Sequence, residues 1–140
     1  MEYTLIINGE GLVMGRLAAT VAKKLLNGES VAIVNCEKVI ITGNKEATYE
    51  KYFAHTHRGR TTRGPYFPRR SDLFLKRIIR GMLPNKRTRG RNALRNIRCF
   101  IGVPIELEGK EQITIKEAKK EIISNYITIH NLTKLLGAKA

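Results

Sequence analysis

Acidic side chains are almost missing from the middle of this 140-residue sequence. Between Lys51 and Ile105 there is one, Asp72, against fifteen lysines and arginines. The formal net charge of +14 therefore sits in that stretch, because the other 85 residues hold eleven basic and eleven acidic side chains. A merely solvated face carries mixed signs, and this stretch does not. A surface of one sign repels itself unless a polyanion lies against it, and nucleic acid is the usual polyanion.

Cysteine is equally scarce. Cys36 and Cys99 stand singly and far apart in the chain, which excludes a disulfide framework and fits a reducing cytosol. No Cys-x-x-Cys pair is present, so a zinc site would have to combine His55 and His57 with those two cysteines, unlike the paired spacing of structural zinc. Small buried apolar side chains are the simpler reading of the cysteines. The longest apolar runs are only a few residues, too short for a transmembrane helix. The opening Met-Glu-Tyr-Thr-Leu-Ile-Ile has no basic segment or small-residue cleavage site, so no signal peptide is expected. No internal repeat and no Ser/His/Asp or Cys/His nucleophile arrangement stand out, so neither a repeat array nor catalysis is expected. The hydrophobic share, 42%, and the length suit one domain, residues 1–140, with a real core.

The residues that are present order themselves readily. Tyr3–Asn8 is a short apolar, β-rich run. From Gly15 to Asn27 the apolar residues Leu17, Ala18, Val21, Ala22 and Leu25 fall on one helical face. Asn27-Gly28 ends that helix, since glycine takes the left-handed cap without steric cost. Val31–Asn35 is a second apolar run, and strand, helix, strand within this distance predicts a parallel βαβ unit. Val39–Thr42 is a further β-branched run. Asn44 caps a helix with Tyr49, Tyr52 and Phe53 on one face. His55–Arg70 has no period and reads as an extended loop, poorly ordered alone. Ser71 caps a helix to about Leu83 with Leu75, Ile78, Ile79 and Met82 inward, and Pro84 helps to end it. Asn85–Arg91 reads as a second basic loop, followed by a helical turn at Asn92–Asn96 and a strand at Ile97–Ile101. Thr114–Glu117 has the capping-box form and predicts an exposed helix to about Ile123. A short strand at Tyr126–Ile129 and a helix at Asn131–Leu136, closed by Gly137, complete the chain.

Two constellations carry chemistry. Gly9, Gly11 and Gly15 follow a strand and open a helix, and Glu37 lies past the second strand, which imitates a dinucleotide fingerprint. The third glycine comes one residue late, and no residues remain for a substrate domain. A tight βα turn is the simpler reading, and no cofactor is expected. The second constellation is the basic stretch, where arginine outnumbers lysine twelve to three, whereas Arg16 is the one arginine elsewhere. Arginine's flat fork bonds phosphate through two parallel hydrogen bonds and stacks on bases. Arg58, Arg60, Arg63, Arg69 and Arg70 are interleaved with Gly59, Gly64, Pro65, Tyr66, Phe67 and Pro68, so close backbone approach and stacking platforms come together. His55 and His57 begin this segment and suit phosphate or base contacts. Lys76, Arg77 and Arg80 lie off the apolar side of the following helix, and Lys86, Arg87, Arg89, Arg91 and Arg95 continue the series. An irregular arginine-rich segment suits folded RNA better than a regular DNA groove, and no helix-turn-helix, zinc finger or basic zipper is visible. DNA, an anionic membrane and an acidic protein remain alternatives on the residues alone.

Several short segments, in order, narrow these. Gly15-Arg16-Leu17-Ala18, Ile33-Val34-Asn35-Cys36-Glu37-Lys38-Val39, Thr42-Gly43-Asn44-Lys45, Gly81-Met82-Leu83-Pro84 and Arg89-Gly90-Arg91 together frame nearly 80 residues. In these the chain resembles the large-subunit ribosomal protein thirteen family, in its archaeal and eukaryotic form. The Arg-Gly and Gly-Pro-Tyr-Phe elements of His55–Arg70 look like the archaeal type, and the tail after about Glu106 matches least. The resemblance implies an α/β domain of three layers, α/β/α, around a small, mainly parallel four-stranded sheet with long basic loops. It also implies a cytoplasmic, non-enzymatic constituent of the large ribosomal subunit that binds its RNA, neighbours other ribosomal proteins and supports assembly. No membrane or small-molecule partner comes with it.

Overall fold

The computed structural model describes residues 2–121 and 125–138. Its main sheet is parallel. β1 (Leu5–Asn8) pairs with β2 (Val31–Val34), and β2 pairs with β4 (Ile97–Cys99). Between β1 and β2 runs α1 (Met14–Leu26), which buries Leu17, Ala18, Val21, Ala22 and Leu25 as the periodicity predicts, and Met14 besides. Each fully buried Leu or Val contributes about 1.5–3 kcal/mol relative to exposure, so this stripe fixes α1 against the sheet. Gly28, at φ +91°, closes the helix.

Side chains alternate across the strands. Ile7, Val31, Ile33 and Ile97 face the main core with α1 and α3 (Ser71–Gly81), while Ile6, Ala32 and Val34 form a smaller cluster with Leu107. That second face is covered by the segment around the 3-10 turn Ile105–Leu107, with Tyr3, Phe100 and Val103 against it. The expected three-layer arrangement therefore takes a different form among the described residues, with helices on one face and an irregular segment on the other. The sheet also has three strands where four are expected. The fourth pairing is a single bridge, Ile113 beside Ile7, whose backbone exchanges hydrogen bonds with Ile6 and Asn8.

A second, two-stranded sheet pairs β3 (Ile40–Thr42) antiparallel with β5 (Tyr126–Thr128). The strand expected at Ile97–Ile101 ends at Cys99. Thr114–Glu117 does not cap a helix: the chain makes a 3-10 turn at Lys116–Ala118, with buried Ala118 accepting the Val13 N–H and Lys119 bridging Leu12. These tertiary bonds override the local capping preference. The far end of that expected helix, at Ile122 and Ile123, lies outside the described residues. α5 (Ile129–Leu135) starts two residues earlier than expected because the Thr128 hydroxyl accepts the Asn131 N–H at 3.3 Å.

In the Gly-rich turn between β1 and α1 the amides of Gly9 to Val13 are bonded within the fold. The Gly9 N–H donates to Val34 O, Glu10 N–H to Asn8 Oδ1, Gly11 N–H to Lys38 O, Leu12 N–H to Gly9 O and Val13 N–H to Ala118 O. A dinucleotide site needs such amides aimed at a pyrophosphate; here five in succession bond the protein. Glu37, the matching acid, accepts the Gly102 N–H at 3.0 Å and ties down the chain after β4. The turn has the shape of a nucleotide fold and uses its donors structurally.

Candidate nucleic-acid interface

The basic stretch is built on three helices. α2 (Lys45–Thr56) begins at Asn44, whose side chain accepts the Glu46 N–H at 2.9 Å, the expected cap. Tyr52 is its buried residue, and Tyr49 is half-buried. Burial raises the Tyr52 phenol above its ordinary pKa. Its ring meets Phe74 of α3 edge-on at 4.9 Å and Phe67 at 6.1 Å, and Phe67 meets Phe74 at 5.7 Å. Phe74 thus belongs to the buried side of α3 with Leu75 and Ile79, while Met82, expected there, is exposed. Ser71 opens α3 without capping it. Its hydroxyl is buried against that of Thr133 in α5 at 3.1 Å, so a tertiary bond takes the place of the cap.

Between α2 and α3 the chain is irregular, as expected, yet it is held. Arg60 and Gly64 exchange backbone hydrogen bonds in a tight turn whose Gly64–Pro65 peptide is cis. Gly59, at φ +81°, must be glycine because a β-carbon there would overlap the Gly64 carbonyl. Phe67 is the anchor, packed against the main core. These contacts give the segment the apolar hold that its composition conceals.

Each sequence-predicted residue can be placed. Arg58, Arg60, Arg63 and Arg69 are exposed on the segment after α2. Arg70 is exposed and bonds Asp72 at 2.9 Å. Among the described residues this is the one ion pair within the stretch, so the other cations are left without a carboxylate partner. His55 is half-buried, stacked on Phe67 at 5.6 Å, and His57 stacks on Phe53 at 3.9 Å. The histidines serve the aromatic cluster first. Lys76 is half-buried with Nζ donating to Ile97 O at 3.4 Å, and Arg77 lies 5.8 Å over the Phe67 ring. Arg80 is exposed.

The second basic loop is shorter than expected. α4 spans Thr88–Arg95, so Arg89, Arg91 and Arg95 ride on a helix, and only the turn before it, with Lys86 and Arg87, is irregular. Gly90 explains the discrepancy. Glycine lowers helix propensity by about 1 kcal/mol relative to alanine, so the sequence reads as a loop. In the fold Gly90 is buried against the preceding turn, and a β-carbon would overlap the Pro84 carbonyl. Arg91 braces the same turn by donating to Lys86 O at 3.2 Å.

The pieces join into one surface. A cleft after α2 is lined by Arg58, Arg60 and Arg69; a smaller one shares Arg58 with it and reaches Arg77; a third runs from Arg77 across Lys76 and Arg80 to Leu94 of α4. Cationic groups from the segment and α3 are therefore neighbours, and α4 adjoins them at Leu94. Arg98, outside this set, is exposed on β4, on the strand face opposite Ile97 and Cys99. The cysteines are closer than the sequence suggests. The neighbouring Cys99 thiol, together with burial, raises the Cys36 thiol well above its ordinary pKa, and the Cys36 S–H donates to Ile33 O at 3.4 Å. Parallel pairing of β2 with β4 brings them together, a long-range relation with no local signal. No helix of the described residues is long and apolar enough to cross a membrane.

Comparison with known proteins bears on the same region. The family model described as Ribosomal protein L13 matches residues 2–106. The large ribosomal subunit protein uL13 of Methanosarcina barkeri is 47% identical over 137 residues, covering 96% of this chain and 98% of the relative. Its counterpart in Methanosphaera stadtmanae is 44% identical over 138 residues, covering 96% and 97%. That of Archaeoglobus fulgidus is 44% identical over 135 residues, covering 94% and 86%. The family match contains the whole basic stretch and ends where the sequence resemblance fades. On this span and these identities, the chain belongs to the ribosomal protein L13 family, a family of structural proteins and not of enzymes.

Proposed function

We propose that this protein is a structural constituent of the large ribosomal subunit that binds large-subunit ribosomal RNA through its arginine-rich surface and supports subunit assembly. Family membership supports the ribosomal role. The observation that carries the RNA-binding mode is the run of adjoining clefts from the segment after α2 to α4, where cations cluster without carboxylate partners. The body formed by the two sheets, α1 and α5 acts as a rigid platform. Arg58, Arg60, Arg63, Arg69, Arg87, Arg89 and Arg91 neutralise phosphates, with Arg70 joining once it leaves Asp72. Lys76, Arg77, His55 and His57 chiefly hold the surface in shape and add charge or edge contacts, while Arg80, Lys86 and Arg95 widen it. The protein acts as one domain, in the cytoplasm on the large subunit beside other ribosomal proteins, with no small-molecule cofactor.

Sedimentation of cell lysate at low salt is the direct experiment. The protein travels with large subunits and is released as salt rises; sedimentation away from them at low salt overturns the proposal. Competition between folded ribosomal RNA and duplex DNA sets the polyanion. Preference for the RNA is expected, and equal affinity for both favours a DNA-compacting protein instead.

A further inference from the structure

The segment after α2 contains an aromatic ring that its own fold leaves open. Tyr66 is 71% exposed. Its hydroxyl donates to the Thr61 carbonyl at 2.9 Å, which pins the tip of the ring to the turn. Beneath it lies Gly64, where a β-carbon would stand 3.1 Å from two ring carbons, so the ring rests on bare backbone. The other aromatic groups of this surface are taken: Phe53 is stacked by His57, and Phe67 by His55. Among the described residues no ring stacks on Tyr66. A cleft of about 410 Å³ borders it, walled by His57, Arg58, Arg60 and Arg69.

A tyrosine that only closed the turn would need its hydroxyl bond and its Gly64 contact, and nothing would call for a cleft lined with cations beside it. Packing this ring against the core would also have been open to a chain that packs Phe67 there one residue later. We propose that Tyr66 is a preorganised stacking platform for one extruded, unpaired nucleobase of the bound RNA, whose flanking phosphates are held by Arg58, Arg60 and Arg69. The ligand class follows from the chemistry. A flat π face takes a base of any kind, and forked guanidiniums take phosphate. Sequence-tolerant stacking of splayed bases is a common way to recognise folded RNA. Because the tyrosine tip is already bonded, little side-chain freedom is lost on binding. This inference rests on the RNA-binding reading above and adds a site to it.

The experiment uses the full chain bound to transcribed large-subunit ribosomal RNA. Irradiation at short ultraviolet wavelength followed by nuclease digestion and mass spectrometry is expected to give a nucleotide adduct on Tyr66. Chemical probing of base reactivity is expected to show one unpaired base protected by the wild-type protein and by Tyr66→Phe, which keeps the π face. Tyr66→Leu covers Gly64 without a π face; it is expected to restore that base's reactivity and weaken binding about 5- to 150-fold, with an unchanged salt slope. Thermal melts of both variants close to wild type show that folding is not the cause. Adducts on other tyrosines but not Tyr66, or a Tyr66→Leu protein that binds and protects like wild type, overturns the inference while leaving RNA binding intact. Failure of the wild-type protein to bind the RNA removes the RNA-binding reading itself, and the platform with it.

Discussion

Replacing Gly90 by alanine tests the turn that carries the second set of cations, and three physical pictures predict different signs. In an open loop the change would be near neutral. In an exposed helix it would stabilise by about 1 kcal/mol, because alanine is the better helix former. In this fold a β-carbon at position 90 overlaps the Pro84 carbonyl and crowds the Asn85 nitrogen. Those atoms are backbone, and the Pro84 carbonyl also accepts the Arg87 N–H at 2.9 Å, so they yield less easily than a side chain. Overpacking costs about 1–3 kcal/mol, occasionally more, and backbone overlap belongs at the upper end of that range. Set against the propensity gain, the net loss is about 2 kcal/mol, or about 5–10 °C in melting temperature for a chain of this size. Thermal and urea unfolding followed by circular dichroism measure it. Since Lys86 and Arg87 sit on the displaced turn, RNA affinity falls too. A Gly90→Ala protein that melts at or above the wild-type temperature refutes the close packing of α4 on the turn.

Other outcomes follow from the same contacts. Phe67→Ala removes a partly buried ring from the cluster with Tyr52 and Phe74, so it is expected to cost about 2–3 kcal/mol, less than a full core truncation, and to speed trypsin cleavage between positions 58 and 70; unchanged cleavage would show that Phe67 is not the anchor. Asn44→Ala removes the side-chain cap of α2 and is expected to cost about 1 kcal/mol by urea unfolding. The Cys36 thiol and Tyr52 phenol are both held above their ordinary values, 9.0 and 10.0. The unfolded chain therefore loses these protons first as pH rises. Their contribution to stability is full below pH 9.0 and is lost as pH climbs through the raised folded values. Melting temperature should fall above that pH, and the fall should shrink in Cys36→Ala.

Much of the fold was legible because it is local. The stripe of α1, the Asn44 cap and the apolar runs of β1 and β2 each announce themselves within a dozen residues. What was hidden is tertiary. Gly90 lowers helix propensity where close packing demands it, so half of α4 read as loop. Thr114–Glu117 carries a capping pattern that the pairing of Leu12 and Val13 overrides. Ser71 looks like a cap and bonds Thr133 instead. In the interface the charge and its arginine bias were plain from composition. Its internal division was not: Lys76 bonded to Ile97 and His55 stacked on Phe67 are relations between residues apart in sequence, while the Arg70–Asp72 pair and the Phe53–His57 stack are local contacts that composition alone does not single out. Tyr66 was visible as an aromatic among arginines, and only its exposure and its bond to Thr61 set it apart.

The central claim is that unpaired arginines on this surface neutralise RNA phosphates. Each neutralised phosphate releases condensed counterions, so the salt dependence of affinity counts the contacts. Binding of the full chain to large-subunit ribosomal RNA, measured across a range of monovalent salt, is expected to give a log–log slope of about −6 to −7 for about eight contacts. A slope near −1 contradicts the account.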